Sequence, residues 1–344
     1  MAIYNLCILG FGNVGRSLVR LLQTKTTELR DHYNIEWRIT GVATRRLGWI
    51  ADPTGLDTDA LLAGHFPAAV PADAGTAREW LSAARADVLF ELTSLNVESG
   101  QPAIEHIRAA LEHGAHAITA NKGTVVHAYH ELQALARERG KRFLFEATVM
   151  GGAPVFSLFA ETLPTARLLR FRGLLNSTSN VVIGEMERGK SFAEAVRVAQ
   201  ELGIAETDPS ADVDGWDAAV KVCAIATVLM GVPLRLDEIQ REGIRDLSPE
   251  EIRSARAVGR PYKLVSRAEL VDGSVRATVR PEQIALDDPL ASVGAASLLT
   301  HFEMDVIPGL TVSLHVPSEG TAGPDVTAYD VMADFIRAVR HHAH

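Results

Sequence analysis

Between Glu206 and Lys221 the chain reads ETDPSADVDGWDAAVK, which sets Glu206, Asp208, Asp212 and Asp214 ahead of a helical pattern carrying Asp217 and Lys221. Residues four apart share one helix face, so this carboxylate and this ammonium can pair. Lys221 leads directly into VCAIATVLM, an almost wholly apolar run. A lysine at the head of such a run is desolvated, and desolvation lowers an ammonium pKa toward the range useful for proton transfer. An ordinary surface pair at this spacing would contribute only about 0.3–0.5 kcal/mol.

A second chemistry-bearing pattern lies at the start. CILGFGNVGRSLVRLL holds Gly10, Gly12 and Gly15 in G-x-G-x-x-G spacing, directly after an apolar strand pattern and at the head of a helix. The first glycine permits the tight turn, the second lets backbone approach a pyrophosphate, and the third lets helix and strand pack closely. The helix N-terminus then faces the phosphates with its amides, which places Gly10, Phe11, Gly12, Asn13, Val14 and Gly15 around a dinucleotide. The second strand pattern ends in Val42-Ala43-Thr44-Arg45-Arg46. A carboxylate there would suit the ribose hydroxyls of NAD, whereas Arg45 and Arg46 suit the 2′-phosphate of NADP. Two further strand ends offer Thr93 and Ser94, whose hydroxyls suit ribose or nicotinamide, and Lys122 in TANKG. Ligands gather at the carboxyl ends of parallel strands.

These groups need elements to hold them. Over the first 150 residues, strand patterns at Asn5–Gly10, Trp37–Ala43, Val88–Leu92, Ala117–Ala120 and Arg142–Glu146 alternate with helical ones. The helical stretches are Val14–Arg30, Ala77–Ala84, Pro102–His113 and Val125–Arg139. That rhythm predicts an α/β, Rossmann-type nucleotide-binding domain with a parallel sheet. After Gly151-Gly152 the pattern becomes α+β. Leu168–Leu175, Tyr262–Glu269, Ser274–Arg280, Ser297–Val306 and Thr311–Val316 read as strands of a largely antiparallel sheet. Val181–Arg188, Phe192–Leu202 and Trp216–Met230 read as helices, and a last helix covers Val326–Arg340. The expected domains are residues 1–150, joined by the C-terminal helix at about 318–344, and 151–317.

Composition excludes several classes. A formal charge of −9 over 344 residues argues against a nucleic-acid or anionic-membrane surface. The two cysteines, Cys7 and Cys223, sit in apolar runs and read as buried thiols of a reducing, cytoplasmic protein. The longest apolar run falls far short of the ~20 residues of a membrane span, and the N-terminal residues, which start a strand pattern at once, do not resemble a signal peptide. Metal readings fail on spacing. His127 and His130 fall three apart on a polar helix pattern without a third ligand. A calcium loop starting at Asp208 would place Ala219 where a closing glutamate belongs.

Taken in order, GFGNVG, DPTGLD, ELTS, TANKG, FEATVMGGAP, GLLNSTSN, ETDPSADVDGWDAAVK and TAGPDVTAYDVMAD resemble the segments of the homoserine dehydrogenase family. The resemblance spans residues 5 to about 340. It implies reversible NAD(P)H-dependent reduction of aspartate 4-semialdehyde to homoserine, by a homodimer acting on a small-molecule substrate. It makes Lys221 the general acid, with Asp217 orienting it and binding substrate. Glu206 would hold the substrate's amino end. Lys122 would stand near both cofactor and reacting oxygen and share the proton-transfer role. It further implies a sodium or other monovalent-cation loop, with Glu146 and the carbonyls of Val149, Gly151 and Ala153 as ligands, and a cofactor contact at Gly323. The second domain would serve catalysis, substrate binding and dimerisation. Ser177 and Thr321 replace glycines usual in the family, and Ala295-Ala296 lack an asparagine often found there; the added bulk is expected to narrow the pocket or restrict the backbone. A regulatory amino-acid-binding domain, present in many relatives, is not expected. A related dehydrogenase of another small amino acid or semialdehyde and a non-catalytic NADP-binding regulator remain alternatives. Lys122 with the Asp217–Lys221 pair favours an enzyme, because a sensor needs the glycine loop but no proton donor.

Overall fold

The apolar N-terminal run forms β1 (Ala2–Leu9), whose last four residues are all buried. A strand that hides consecutive side chains must have cover on both faces, so it belongs at the centre of a sheet. The computed structural model, which describes residues 2–67, 75–294, 296–317 and 323–340, places it there. The chain divides into two units: Met1–Gly152 with Pro324–His344, and Ala153–Gly323.

In the first unit, α1 (Asn13–Thr24) and α2 (Thr26–Tyr33) lead to β2 (Ile35–Thr44) and β3 (Gly48–Ala51). Then come α3 (Thr58–Ala63), α4 (Ala77–Ala83), β4 (Val88–Glu91), α5 (Ala103–His113), β5 (His116–Thr119), α6 (Lys122–Glu138) and β6 (Phe143–Leu144). The sheet order is β3-β2-β1-β4-β5-β6. All its pairings are parallel except the β2–β3 hairpin. The order reverses direction between β1 and β4, so the carboxyl ends of those two strands flank the crevice where such sheets bind ligands. The C-terminal helix (Pro324–Val339) belongs to this unit. It sends Ala328, Val331, Met332, Phe335, Ala338 and Val339 into the same core as Leu6, Ile8, Val42 and Phe90. Phe335 meets Tyr4 and Phe90 edge-on, each with ring centroids 5.9 Å apart.

Two expectations change here, and one element is new. The helix expected over Val14–Arg30 is two helices, broken at Lys25 (φ −97°, ψ 7°). The strand expected over Arg142–Glu146 shrinks to Phe143–Leu144, and Glu146–Thr148 form a 3₁₀ turn. The DPTGLD stretch ends as the cap of α3, an element the periodicity does not reveal: the Asp57 carboxylate accepts the amides of Asp59 and Ala60.

The second unit opens with β7 (Leu168–Leu174), α7 (Ser177–Glu187), α8 (Phe192–Glu201), α9 (Ser210–Val213) and α10 (Trp216–Ile225). A π-helical turn, Ala226–Met230, continues α10. Next come β8 (Gln240–Arg241), α11 (Pro249–Ala257), β9 (Tyr262–Val271), β10 (Ser274–Gln283), β11 (Leu298–Met304) and β12 (Leu310–Leu314). Its sheet runs β12-β11-β7-β9-β10-β8, antiparallel except between β8 and β10. Asp272 (φ 50°) and Gly273 (φ 80°) join β9 to β10. Two left-handed residues in a two-residue loop are what the twist of a hairpin requires. Leu174, Val265, Ile284, Leu290, Val293 and Leu299 pack together in this unit.

Candidate functional site

The candidate site of the first unit is the glycine turn after β1. Gly10 has φ 99°, and a side chain there would put its Cβ 2.5 Å from both the carbonyl carbon and oxygen of Leu92. Gly15 is held as tightly, with its Cβ position 2.8 Å from the Gly10 carbonyl oxygen. Gly12, between them, faces no protein atom within 4 Å. It is also the N-cap of α1, with no side-chain capping bond and no acidic residue in the first turn. An open backbone at an uncapped helix start, free of carboxylates, suits a pyrophosphate. Phe11 is buried, edge-on to Phe66 at 5.9 Å, while Asn13 is exposed and Val14 half-buried. Phe11 therefore contributes packing and its backbone.

Arg45 and Arg46 are exposed in the turn of the β2–β3 hairpin, just past the end of β2. Ser94 is exposed, whereas the Thr93 hydroxyl is already committed to the Glu91 carboxylate. Lys122 is half-buried at the first turn of α6, and Asn121 before it caps that helix by accepting the Gly123 amide at 3.0 Å. The Asn121 amide nitrogen also donates to the carbonyls of Thr93 (3.2 Å) and Ser94 (3.3 Å). Asn121 and Glu91 are further hydrogen-bonded residues at this strand edge to which strand patterning assigns no role. Their signal is only that each ends or follows a strand at the ligand edge of the sheet.

In the same unit Glu146 is buried, and its carboxylate lies 3.7 Å from Arg337. Asp334 accepts the Glu146 amide and Asp330 the Gly152 amide, each at 2.8 Å. Burial foremost, with neighbouring carboxylates adding to it, pushes Asp330 up to about 7, and burial likewise pushes Asp334 to about 7. Val149 is buried, Gly151 half-buried, and Ala153 is the first residue of the second unit. Among the described residues no group of His, Cys, Asp and Glu side chains is arranged to hold a metal. His127 and His130 are exposed. Gly323 is half-buried just before the C-terminal helix, while Ala295 and Thr321 lie outside the described residues.

The candidate site of the second unit is built around α10. Lys221 lies 2.7 Å from Asp217 and donates to the Leu175 carbonyl at 2.6 Å. The side chains are only 12% and 18% exposed, so the pair is shielded well beyond an ordinary surface contact. An ammonium has three donors; two are used, and the third has no partner among the described residues. Asn176 fixes the arrangement. Its oxygen caps α7 through the Ser179 amide (2.8 Å), and its nitrogen donates to Asp212 (2.7 Å) and Asp217 (3.1 Å).

The acids of the loop thus separate. Asp212 turns inward, accepting from Asn176 and from the Thr178 hydroxyl at 2.9 Å. Burial first, and then the adjacent charge of Asp217, raise its pKa. Asp214 pairs with Arg245. Asp208 accepts the Ser210 amide at 3.0 Å, which together with the Ser210 hydroxyl lowers its pKa. Glu206 is exposed, and its carboxylate has no partner among the described residues. Ser177 meets no backbone restriction, because it is the first residue of a helix, and its hydroxyl donates to the Ala296 carbonyl at 2.8 Å.

Comparison with known proteins agrees with this chemistry. A homoserine dehydrogenase NAD-binding domain model matches residues 10–146, and a homoserine dehydrogenase model matches residues 154–336. An NAD(+)-dependent homoserine dehydrogenase of Pseudomonas canavaninivorans is 36% identical, over 98% of this chain and 96% of its own length. A homoserine dehydrogenase of Methanocaldococcus jannaschii is 33% identical over 96% and 97%. The crystal structure of a homoserine dehydrogenase from Thiobacillus denitrificans superposes with a TM-score of 0.82 at 28% identity, covering all of this chain and 76% of that one. Two family models in tandem, and relatives matched from end to end, place this glycine turn and this carboxylate–ammonium pair in a chain that belongs to the homoserine dehydrogenase family.

Proposed function

We propose that the protein interconverts L-aspartate 4-semialdehyde and L-homoserine with NAD(P)H, and that NADP is its preferred cofactor. The observation that carries the reading is Lys221, an ammonium fixed by Asp217 and the Leu175 carbonyl with one N–H to spare. When bound, the nicotinamide supplies or accepts the hydride. Lys221 then holds a proton at the carbonyl oxygen, where negative charge develops during reduction. Asp217 holds the ammonium in place. Asp212 and the exposed carboxylate of Glu206 offer negative charge to the substrate's amino group, and the family resemblance gives Lys122 a share of the proton transfer.

The open Gly12 and the uncapped start of α1 fit the dinucleotide. Arg45 and Arg46, exposed past β2, support the 2′-phosphate reading. The loop from Glu146 to Ala153 fits a monovalent cation. Its carbonyl and carboxylate oxygens are hard donors, and the carboxylates of Glu146, Asp330 and Asp334 outnumber the charge of Arg337. Two further points belong to the reading. β12 is an edge strand suited to pairing across a homodimer axis, and the free buried thiols suit a reducing cytoplasm.

Homoserine-dependent reduction of NADP+ tests the activity. Lys221→Ala is expected to lower kcat by about 10²–10⁴-fold, the usual range for losing a general acid, with cofactor affinity unchanged. An intact kcat would remove Lys221 from the mechanism. Arg45→Ala is expected to raise KM for NADP+ while leaving that for NAD+ in place; equal effects on both would refute the 2′-phosphate role.

A further inference from the structure

The carboxylate of Glu91 is fully buried at the carboxyl end of β4. Burying a carboxylate is costly unless its oxygens are bonded. These are: one oxygen accepts the hydroxyl and, at 3.3 Å, the amide of Thr93. The Thr119 hydroxyl, which donates to the Glu91 backbone carbonyl at 2.9 Å, also lies 3.3 Å from the other carboxylate oxygen. His106 of α5 brings Nδ1 to within 3.6 Å, too long for a hydrogen bond, and that buried nitrogen has no other partner among the described residues. Thr119 in turn receives the Asn121 amide at 2.9 Å, and Asn121 reaches back to the Thr93 and Ser94 carbonyls. The peptide joining Leu92 to Thr93 is the one packed against Gly10, with the Gly10 Cβ position 2.8 Å from the Thr93 nitrogen. Glu91 therefore links the β4 end to the β5 end, beside the glycine turn.

We infer that Glu91 is a positioning residue of the cofactor site, which sets the Thr93–Ser94 segment against Gly10 and, through Thr119 and Asn121, the start of α6 at Lys122. The inference rests on the reading that this strand edge receives the nicotinamide cofactor. Glu91 touches no cofactor itself. Its oxygens make both strand ends share one rigid hydrogen-bonded frame, and charge-assisted bonds of this kind are about twice as strong as neutral ones. Glutamine at this position keeps the volume but replaces one accepting oxygen with a donor that faces a hydroxyl or an amide.

The test compares Glu91→Gln, Thr93→Val and the double variant in the full-length enzyme, with KM for cofactor, KM for homoserine and kcat measured separately. Expected is a rise of about tenfold in cofactor KM for Glu91→Gln, the scale of losing a bond to a charged group. Homoserine KM should be unchanged, and the double variant should be no worse than the poorer single one. A general loss of structure would instead move both KM values and kcat together. If Thr93→Val leaves cofactor KM unchanged, the cofactor reading of this edge fails and the inference falls with it. If Thr93→Val raises it and Glu91→Gln does not, or if the two effects multiply, the edge serves the cofactor but Glu91 does not position it. Thr119→Val removes the hydroxyl shared between the backbone carbonyl and the carboxylate of Glu91, and guards against a Glu91 variant that does not fold. Should that occur, a selective rise of about threefold or more in cofactor KM for Thr119→Val supports the frame, and no rise overturns it.

Discussion

At the residue scale the notable group is Asp212, because the forces acting on it oppose one another. Its carboxylate is well bonded by Asn176 and Thr178, yet burial and the neighbouring Asp217 still raise its pKa. A carboxylate whose folded pKa exceeds its unfolded one holds more protons in the fold, so stability falls as pH rises through that folded pKa. Asp212→Asn is therefore expected to raise the melting temperature near neutral pH and flatten its decline as pH rises above about 4. It is also expected to weaken homoserine binding by about tenfold, the scale of one charge-assisted bond. A variant that is both less stable and fully active would contradict both parts. Legibility differs sharply among such residues. The Asp217–Lys221 contact follows from helix spacing alone. Asn176 and Asp212 come together from positions 36 residues apart in the chain, through α7 and the loop before α10, and no local pattern encodes that meeting.

At the element scale, the strands that hide both faces are the most readable, since an unbroken apolar run has few other destinations. The Rossmann order and the largely antiparallel second sheet both follow the expected class. Short, cap-driven elements escape such a reading. α11 begins with Ser248, Pro249 and Glu251, a capping box with proline at the first turn, and α3 depends on the Asp57 cap. Those signals are chemical and positional, not periodic, which is why an apolar-pattern search overlooks them. The glycine turn allows a sharper experiment at this scale. Gly12→Ala meets open space, so it should change stability by less than about 0.5 kcal/mol while raising cofactor KM by about tenfold or more. Gly10→Ala meets the Leu92 backbone at positive φ and should cost several-fold more stability, of order 2–4 kcal/mol. Thermal unfolding beside cofactor titration distinguishes the two; similar behaviour of both variants would mean the turn serves folding alone.

For the whole molecule, the first unit is discontinuous: its core needs the segment from Pro324 onward as much as it needs β1. Deleting residues 324–344 is expected to expose the apolar faces of β1, β2 and β4 and abolish NADP+ binding, measured by fluorescence titration. Retained binding would mean that the C-terminal helix is an accessory. The second unit, in contrast, is one unbroken segment from Ala153 to Gly323 with its own sheet and core. Here sequence reading is limited for a physical reason. Periodicity reports that Val326–Arg340 is an amphipathic helix, but the partner for its apolar face lies more than 300 residues earlier in Tyr4, Leu6 and Ile8.

That arrangement also dictates an order of events during synthesis. A ribosome releases Phe335, Ala338 and Val339, the side chains that complete the first core, more than 300 residues after β1. The unit begun first is therefore the last one able to finish folding, while residues 153–323 emerge as a continuous segment beforehand. Until then β1, β2 and β4 carry uncovered apolar surface, and a nascent chain of this protein has most need of chaperone protection in its oldest part.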